Sequence, residues 1–214
     1  IRIKVVPAIY PAGGERQVIA TVFGAEVPHN GLPADIGVVC QNVGTAAAIA
    51  RWIRDGQPLV SRIVTVTGDG VRDAGNWETR IGTPFSSLIA DGGGYTKRMS
   101  RLMMGGSMMG TSLAHDDLPV VKATNCIIAA SALDLQPRGP EMPCIRCGNC
   151  SHVCPAFLLP QQLHWYLQPF DSDQLARHGL LDCIECGCCD YVCPSQIPLV
   201  ERFREAKPLL AREL

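Results

Sequence analysis

Cys144-Ile-Arg-Cys147-Gly-Asn-Cys150-Ser-His-Val-Cys154-Pro155 and Cys183-Ile-Glu-Cys186-Gly-Cys188-Cys189-Asp-Tyr-Val-Cys193-Pro194 are two copies of one spacing, C-x2-C-x2-C-x3-C-P, and together they hold nine of the eleven cysteines. This is the run that ligates paired 4Fe-4S clusters. A cubane offers iron at four corners, and two-residue spacers let one short turn of backbone present three thiolates to three neighbouring corners. The fourth corner faces away and is filled from a distant part of the chain. In two-cluster ferredoxins the fourth cysteine of each run serves the other cluster. The expected ligands are therefore Cys144, Cys147, Cys150 and Cys193 for one cluster, and Cys183, Cys186, Cys189 and Cys154 for the second. Zinc knuckles also use C-x2-C pairs, but they leave the third and fourth cysteine of each run without a task. Disulfides fit worse: so many cysteines at two-residue intervals, with no secretory segment, indicate a reducing compartment and metal ligation.

The 214 residues are 47% hydrophobic and 18% charged, which fits a globular protein and excludes a disordered one. Up to residue 140 there are thirteen basic and eleven acidic side chains, and after it six and nine. No basic face for nucleic acid emerges from that distribution. No run approaches the ~18 apolar residues of a membrane-spanning helix, so the chain is expected to be soluble. It starts at Ile1, within what reads as a strand and without a methionine, as a piece of a longer protein would.

Ile1 to Val6 alternates like a half-buried strand. Tyr10-Pro-Ala-Gly-Gly-Glu-Arg16 is a turn whose two glycines permit a close approach, followed by a short helix to Gly24; an ordinary glycine-rich turn explains it equally. Ile36 to Cys40 reads as a buried parallel strand feeding a polar turn, Gln41 to Thr45, and a helix ending at Gly56. Thr45 suits the N-cap and Gly56 the C-terminal cap. Such a strand, turn and helix N-terminus can bind an anion, or Asn42 and Thr45 merely cap. From Ser61 short strands follow at Arg62 to Thr67, Trp77 to Ile81, Arg101 to Met104 and Val120 to Ala130. A helix opened by Thr83 as cap and Pro84 as first residue runs to Ile89. Met103, Met104, Met108 and Met109 are expected to fill core beside a tight turn. Gln136 to Pro143, with three prolines, reads as a linker. Helices are expected at Pro160 to Gln168, at Asp171 to Leu180, and at Ile197 to Ala206 with Pro208 as its stop. Trp165 and Tyr166 are expected to pack on the cluster domain. Cys40 and Cys126 read as small buried hydrophobes, and Cys188 as a bystander thiol.

Pro143 to Cys150, Leu158-Leu-Pro-Gln-Gln-Leu163 and Leu181 to Cys189 resemble the RnfC (RsxC) family of electron transport complex components, and the similarity runs over essentially the whole chain. The resemblance implies a peripheral subunit on the cytoplasmic side of the inner membrane, within an ion-translocating Rnf complex that moves electrons between NADH and ferredoxin. It implies a fold of class α/β plus α in three parts. Residues 1–60 would be part of an FMN- and NADH-binding α/β domain related to the flavoprotein of respiratory NADH:quinone oxidoreductase, and residues 61–135 a β-grasp, SLBB-like ligand-binding module. Residues 136–143 would be a linker and 144–214 an α-helical ferredoxin-like domain with two 4Fe-4S clusters. Gly13, Gly14 and Glu15, with Asn42 and Thr45, correspond to the FMN-contacting turns; Gly14 and Gly44 stand where the related flavoprotein has acids. The family's glycine-rich flavin loop lies before residue 1, so FMN is expected in the longer protein.

The expected function is electron transfer, in which a flavin divides a hydride's two electrons and the clusters carry them singly. The expected partners are other subunits of the membrane complex, NADH, and ferredoxin or a ferredoxin-like subunit. A soluble cobalamin reductase of the same build and a structural adaptor whose clusters only stabilise the fold are the rival readings.

Overall fold

The computed structural model describes residues 2–29, 31–135 and 138–213. Ile1, and Gln136 and Pro137 of the expected linker, lie outside the described residues. In chain order come α1 (Glu15–Phe23), α2 (Val43–Asp55), β1 (Ser61–Thr67), β2 (Gly75–Arg80), α3 (Phe85–Asp91), β3 (Met99–Met104), β4 (Thr111–Leu113) and β5 (Cys126–Ser131). They are followed by α4 (Asn149–His152), α5 (Pro160–Leu167), α6 (Ser172–Arg177), α7 (Cys188–Tyr191) and α8 (Leu199–Glu213). Contacts divide the chain into two units: Ile1–Cys40 with Arg138–Leu214, and Gln41–Pro137.

Gln41–Pro137 is built on a five-stranded sheet of order β2-β1-β5-β3-β4, in which β1 and β5 run parallel and every other pair antiparallel. Alternation puts Val64 and Val66 of β1 and Ile127 and Ala129 of β5 into the core, where Phe85, Leu88 and Ile89 of α3 pack with them. The i, i+3, i+4 spacing of those three gives α3 a single apolar face. After β1 the chain turns through Gly68, at φ +101°, so close to β5 that a Cβ there would lie 2.3 Å from the Ala129 carbonyl oxygen. Two expectations shift here. Pro84, and not Thr83, is the N-cap of α3. The expected strand from Val120 breaks in a turn closed by Val121 N donating to Thr124 Oγ1, and pairing starts only at Cys126. Strand β4 was not foreseen; its three residues are held by antiparallel pairing with β3. Met104 packs against the core, whereas Met109 is exposed. In α2, Asn42 is the N-cap and accepts from Gly44 N at 2.9 Å; Thr45 lies inside the helix, where its hydroxyl accepts from Arg62 Nη1 at 3.3 Å.

In the other unit, neither of the two N-terminal strands expected from the sequence forms. Residues 2–9 are irregular, and Lys4 reaches the carbonyls of Thr21 and Val22 at the end of α1, where a cation meets unpaired acceptors and the negative end of the helix dipole. Pro33–Ile36 is a 3-10 turn closed by Gly37 at φ +70°, and Val39 beyond it is 77% exposed. The proline favours the turn, and among the described residues no ladder partner is present to make Ile36 to Cys40 a strand. Cys40 is consequently half-buried outside any strand, and Cys126 half-buried within β5.

The C-terminal part is helical. Leu163, Leu175, Leu180, Ile197 and the stripe Leu199, Val200, Phe203, Ala206 and Leu210 of α8 form its core, with Cys150 and Cys189 at the edge. Asp171 caps α6 by accepting from Gln174 N at 3.0 Å. Helix α8 runs through Pro208 to Glu213 and does not stop there. An interior proline costs about 3 kcal/mol. Full burial of Leu210, two residues beyond it, offsets about 1.5–3 kcal/mol of that cost.

Candidate functional site

Each cysteine run opens with a loop, enters one turn of helix and leaves through a proline. Arg146 and Glu185 occupy the same place in the two loops at φ 54° and 55°, and Gly148 and Gly187, at φ 81° and 84°, are the N-caps of α4 and α7. The left-handed residue turns the chain so that the cysteines on either side face inward. Phe157 and Gln196, both at φ 54°, repeat the device after each proline.

Two cavities result. The first is walled by Cys144, Cys147, Cys150 and Cys193, with Gln161 and His164 of α5 beside them. The second is walled by Cys183, Cys186, Cys189 and Cys154, backed by Val200 and Phe203 of α8. The fourth cysteine of each run thus lines the cavity of the other run. Among the described residues no group of three His, Cys, Asp or Glu side chains is gathered tightly enough for a single metal ion. A zinc site needs four thiolates at about 2.3 Å from one point; here the thiols are spread around a space. Four soft sulfur donors around a cavity match what an iron-sulfur cubane requires.

The surroundings of the two cavities differ. Cys144 and Cys147 are exposed, whereas Cys150, Cys186 and Cys189 are buried. Burial pushes the thiols of Cys150, Cys154 and Cys183 up, and burial followed by the Asp190 carboxylate raises Cys189 further. Metal ligation must therefore displace protons from these sulfurs. At the second cavity, backbone N-H groups of Leu158 and Glu185 donate to the sulfurs of Cys154 and Cys183, each at 3.4 Å. Burial alone would raise the Glu185 carboxyl, but hydrogen bonds from Lys207 and Arg204 hold it below the usual range. At the first cavity, Cys150 Sγ lies 3.2 Å from Gln161 Oε1. His164 is buried, and burial together with the Arg202 guanidinium lowers its pKa; Arg202 is itself held bidentately by Glu141 at 2.8 Å. Cys188 donates no wall to either cavity, and burial and its neighbour Cys186 push it up to about 11. Trp165 is 59% exposed and carries Arg146 5.7 Å from its ring centroid, so it packs on the first loop and not in the core; Tyr166 meets His178 with ring centroids 4.9 Å apart and planes tilted by 51°.

The N-terminal segment belongs to this unit and grips the second run. Tyr10 Oη donates to the Cys186 carbonyl at 2.6 Å, and Arg16 pairs with Asp182 at 3.1 Å, where His29 also meets that carboxylate. Nothing in the sequence marked Tyr10, Arg16 or Asp182, because their partners lie more than 150 positions away. The expected flavin contacts have local roles. Gly14 is the N-cap of α1, Gly13 and Glu15 are exposed beside it, and Asn42 and Thr45 serve α2 as described. The first three lie in one unit and the last two in the other.

Three family descriptions match the chain: Nuo51 FMN-binding domain at residues 1–51, SLBB domain at 63–112, and 4Fe-4S dicluster domain at 143–197. Proteins named as the C subunit of the ion-translocating oxidoreductase complex are similar along nearly all of it. The one from Pseudomonas aeruginosa is 51% identical over 96% of this chain and 27% of its own length. Those from Erwinia tasmaniensis and Citrobacter koseri are 49% and 48% identical over 97% of this chain, and 26% and 29% of theirs. The chain therefore spans about a quarter of the length of the curated relatives it matches.

Proposed function

This chain belongs to the family of ion-translocating oxidoreductase complex C subunits, and from that premise we propose that it supplies the one-electron relay of such a complex. Cys144, Cys147, Cys150 and Cys193 would hold one 4Fe-4S cluster, and Cys183, Cys186, Cys189 and Cys154 the other. The observation that carries the reading is the exchange of fourth cysteines between the two cavities. Clusters so held supply single-electron transfer, and a flavin supplies the conversion from a hydride's electron pair. The chain's own residues set the frame: left-handed Arg146 and Glu185 turn the thiolates inward, and Tyr10 with Arg16 fixes the second loop to the N-terminal segment. Gly13, Gly14, Glu15, Asn42 and Thr45 would contact FMN in the longer protein. The donor would be NADH, the acceptor ferredoxin or a ferredoxin-like subunit, and the location the cytoplasmic side of the inner membrane. No helix among the described residues is long and apolar enough to cross a membrane, which suits a peripheral subunit.

The test is iron and labile sulfide analysis of the full-length protein. Two cubanes require about eight of each. With exchanged fourth ligands, Cys147→Ser and Cys193→Ser damage the same cluster, so the double variant keeps about half the iron, whereas Cys186→Ser with Cys193→Ser loses nearly all. The reverse pattern would confine each cluster to its own run, and stoichiometric zinc would end the reading. For the flavin, FMN and NADH should reduce the clusters of the full-length protein and leave those of this chain oxidised.

A further inference from the structure

The two runs repeat one design, yet the third cysteine of each has different polar neighbours. Ser151 follows Cys150, where Asp190 follows Cys189. Seven residues after the fourth cysteine stands Gln161 in the first copy and Val200 in the second. In the first copy, Gln161 Oε1 lies 3.2 Å from Cys150 Sγ and 3.3 Å from Ser151 Oγ, whose hydroxyl is also 3.0 Å from the Gly148 carbonyl. In the second, the Asp190 carboxylate stands 3.9 Å from Cys189 Sγ, tied down by Val200 N at 2.9 Å and Arg138 at 2.8 Å.

The Gln161 network is satisfied in both states of the cysteine. While Cys150 is a thiol it donates to the amide oxygen. Once the sulfur binds iron it has no proton and only accepts, and the two ends of a glutamine amide exchange by a half-turn. After that turn the amide nitrogen can give one hydrogen to Cys150 Sγ and one to Ser151 Oγ, while the serine hydroxyl keeps donating to Gly148. Among the described residues no such side-chain donor stands at Cys189, where the neighbouring group is the Asp190 carboxylate paired with Arg138; the donors to sulfur at that cavity are the backbone N-H groups of Leu158 and Glu185.

Resting on the cluster reading above, we propose that Gln161 is a potential-setting residue: its side-chain amide donates to the Cys150 thiolate and raises the potential of the cluster of Cys144, Cys147, Cys150 and Cys193. Reduction places an additional negative charge on the cluster and its sulfurs. A hydrogen bond to a ligating sulfur stabilises that charge, and a nearby carboxylate opposes it. The exposure of Cys144 and Cys147 acts in the same direction, because water solvates the added charge.

The experiment is a redox titration of the full-length protein, followed by electron paramagnetic resonance, for wild type, Gln161→Met and Ser151→Ala. Methionine keeps the length of the side chain and removes the donor. Wild type should show two clusters of different midpoint. In Gln161→Met one midpoint moves down and the other stays in place; in Ser151→Ala, which frees the amide from its second partner, the same midpoint moves down by less. Unchanged midpoints, or an equal shift of both, overturn the proposal. If Gln161→Met loses its iron, the serine variant decides alone, by the same criteria. A wild type with no clusters at all would instead remove the functional reading.

Discussion

Phe203 offers a severe test of how the sulfur-bearing unit is held together. It is 1% exposed, sits in the middle of the α8 stripe and forms part of the wall behind the second cavity. Truncation to alanine removes the ring's burial and leaves a hole in the core, at a cost of about 4 kcal/mol. Against a typical total of about 5–15 kcal/mol this is a large fraction. Hydrogen exchange reads the effect locally and without requiring the whole protein to unfold in one step. At about 1.4 kcal/mol per factor of ten, amides of α5 and α8 should lose about three powers of ten in protection. Phe157 is the control: it is 87% exposed, and its alanine variant should change protection by less than a factor of about three. Equal effects of the two substitutions would refute the assigned core.

Gly68→Ala forces a Cβ to within 2.3 Å of the Ala129 carbonyl oxygen at a φ of +101°, so it should cost more than about 3 kcal/mol and open the β1–β5 pairing, seen as exchange of Ile127 and Ile128 amides. His164 has a folded pKa below the 6.5 of the free side chain, so the unfolded chain binds the proton first. Stability should accordingly decline as pH falls below about 6.5, and His164→Asn should flatten that decline in urea titrations; identical slopes would contradict it. Arg16→Ala removes a partly exposed pair with Asp182, worth about 1 kcal/mol, and should raise exchange in α1 while leaving β1 and β5 unchanged.

The cysteine spacing was legible because ligand geometry is written locally, in intervals of two and three residues. The helices α1, α5 and α6 and the strands β1 to β3 followed from caps, prolines and alternation for the same reason. Ile36 to Cys40 failed because an apolar run says nothing of whether a neighbouring strand is there to pair with it. Pro208 misled because the gain from burying Leu210 lies on the far side of it and is tertiary. Gln161 could be quoted as part of a family signature, but its approach to Cys150 depends on α5 folding back over α4, which no interval in the sequence records.

The unit that carries the sulfurs is interrupted in the chain by residues 41–137, a stretch with a core of its own. On a ribosome adding about 5–20 residues per second, Tyr10 and Arg16 emerge well before Asp182 and Cys186 exist. Residues 2–40 must therefore wait several seconds or more, while the intervening sheet is free to collapse, before their partners in this unit are made. A delay in synthesis between residues 41 and 186 would lengthen that interval, and with it the time for which Tyr10 and Arg16 lack these partners.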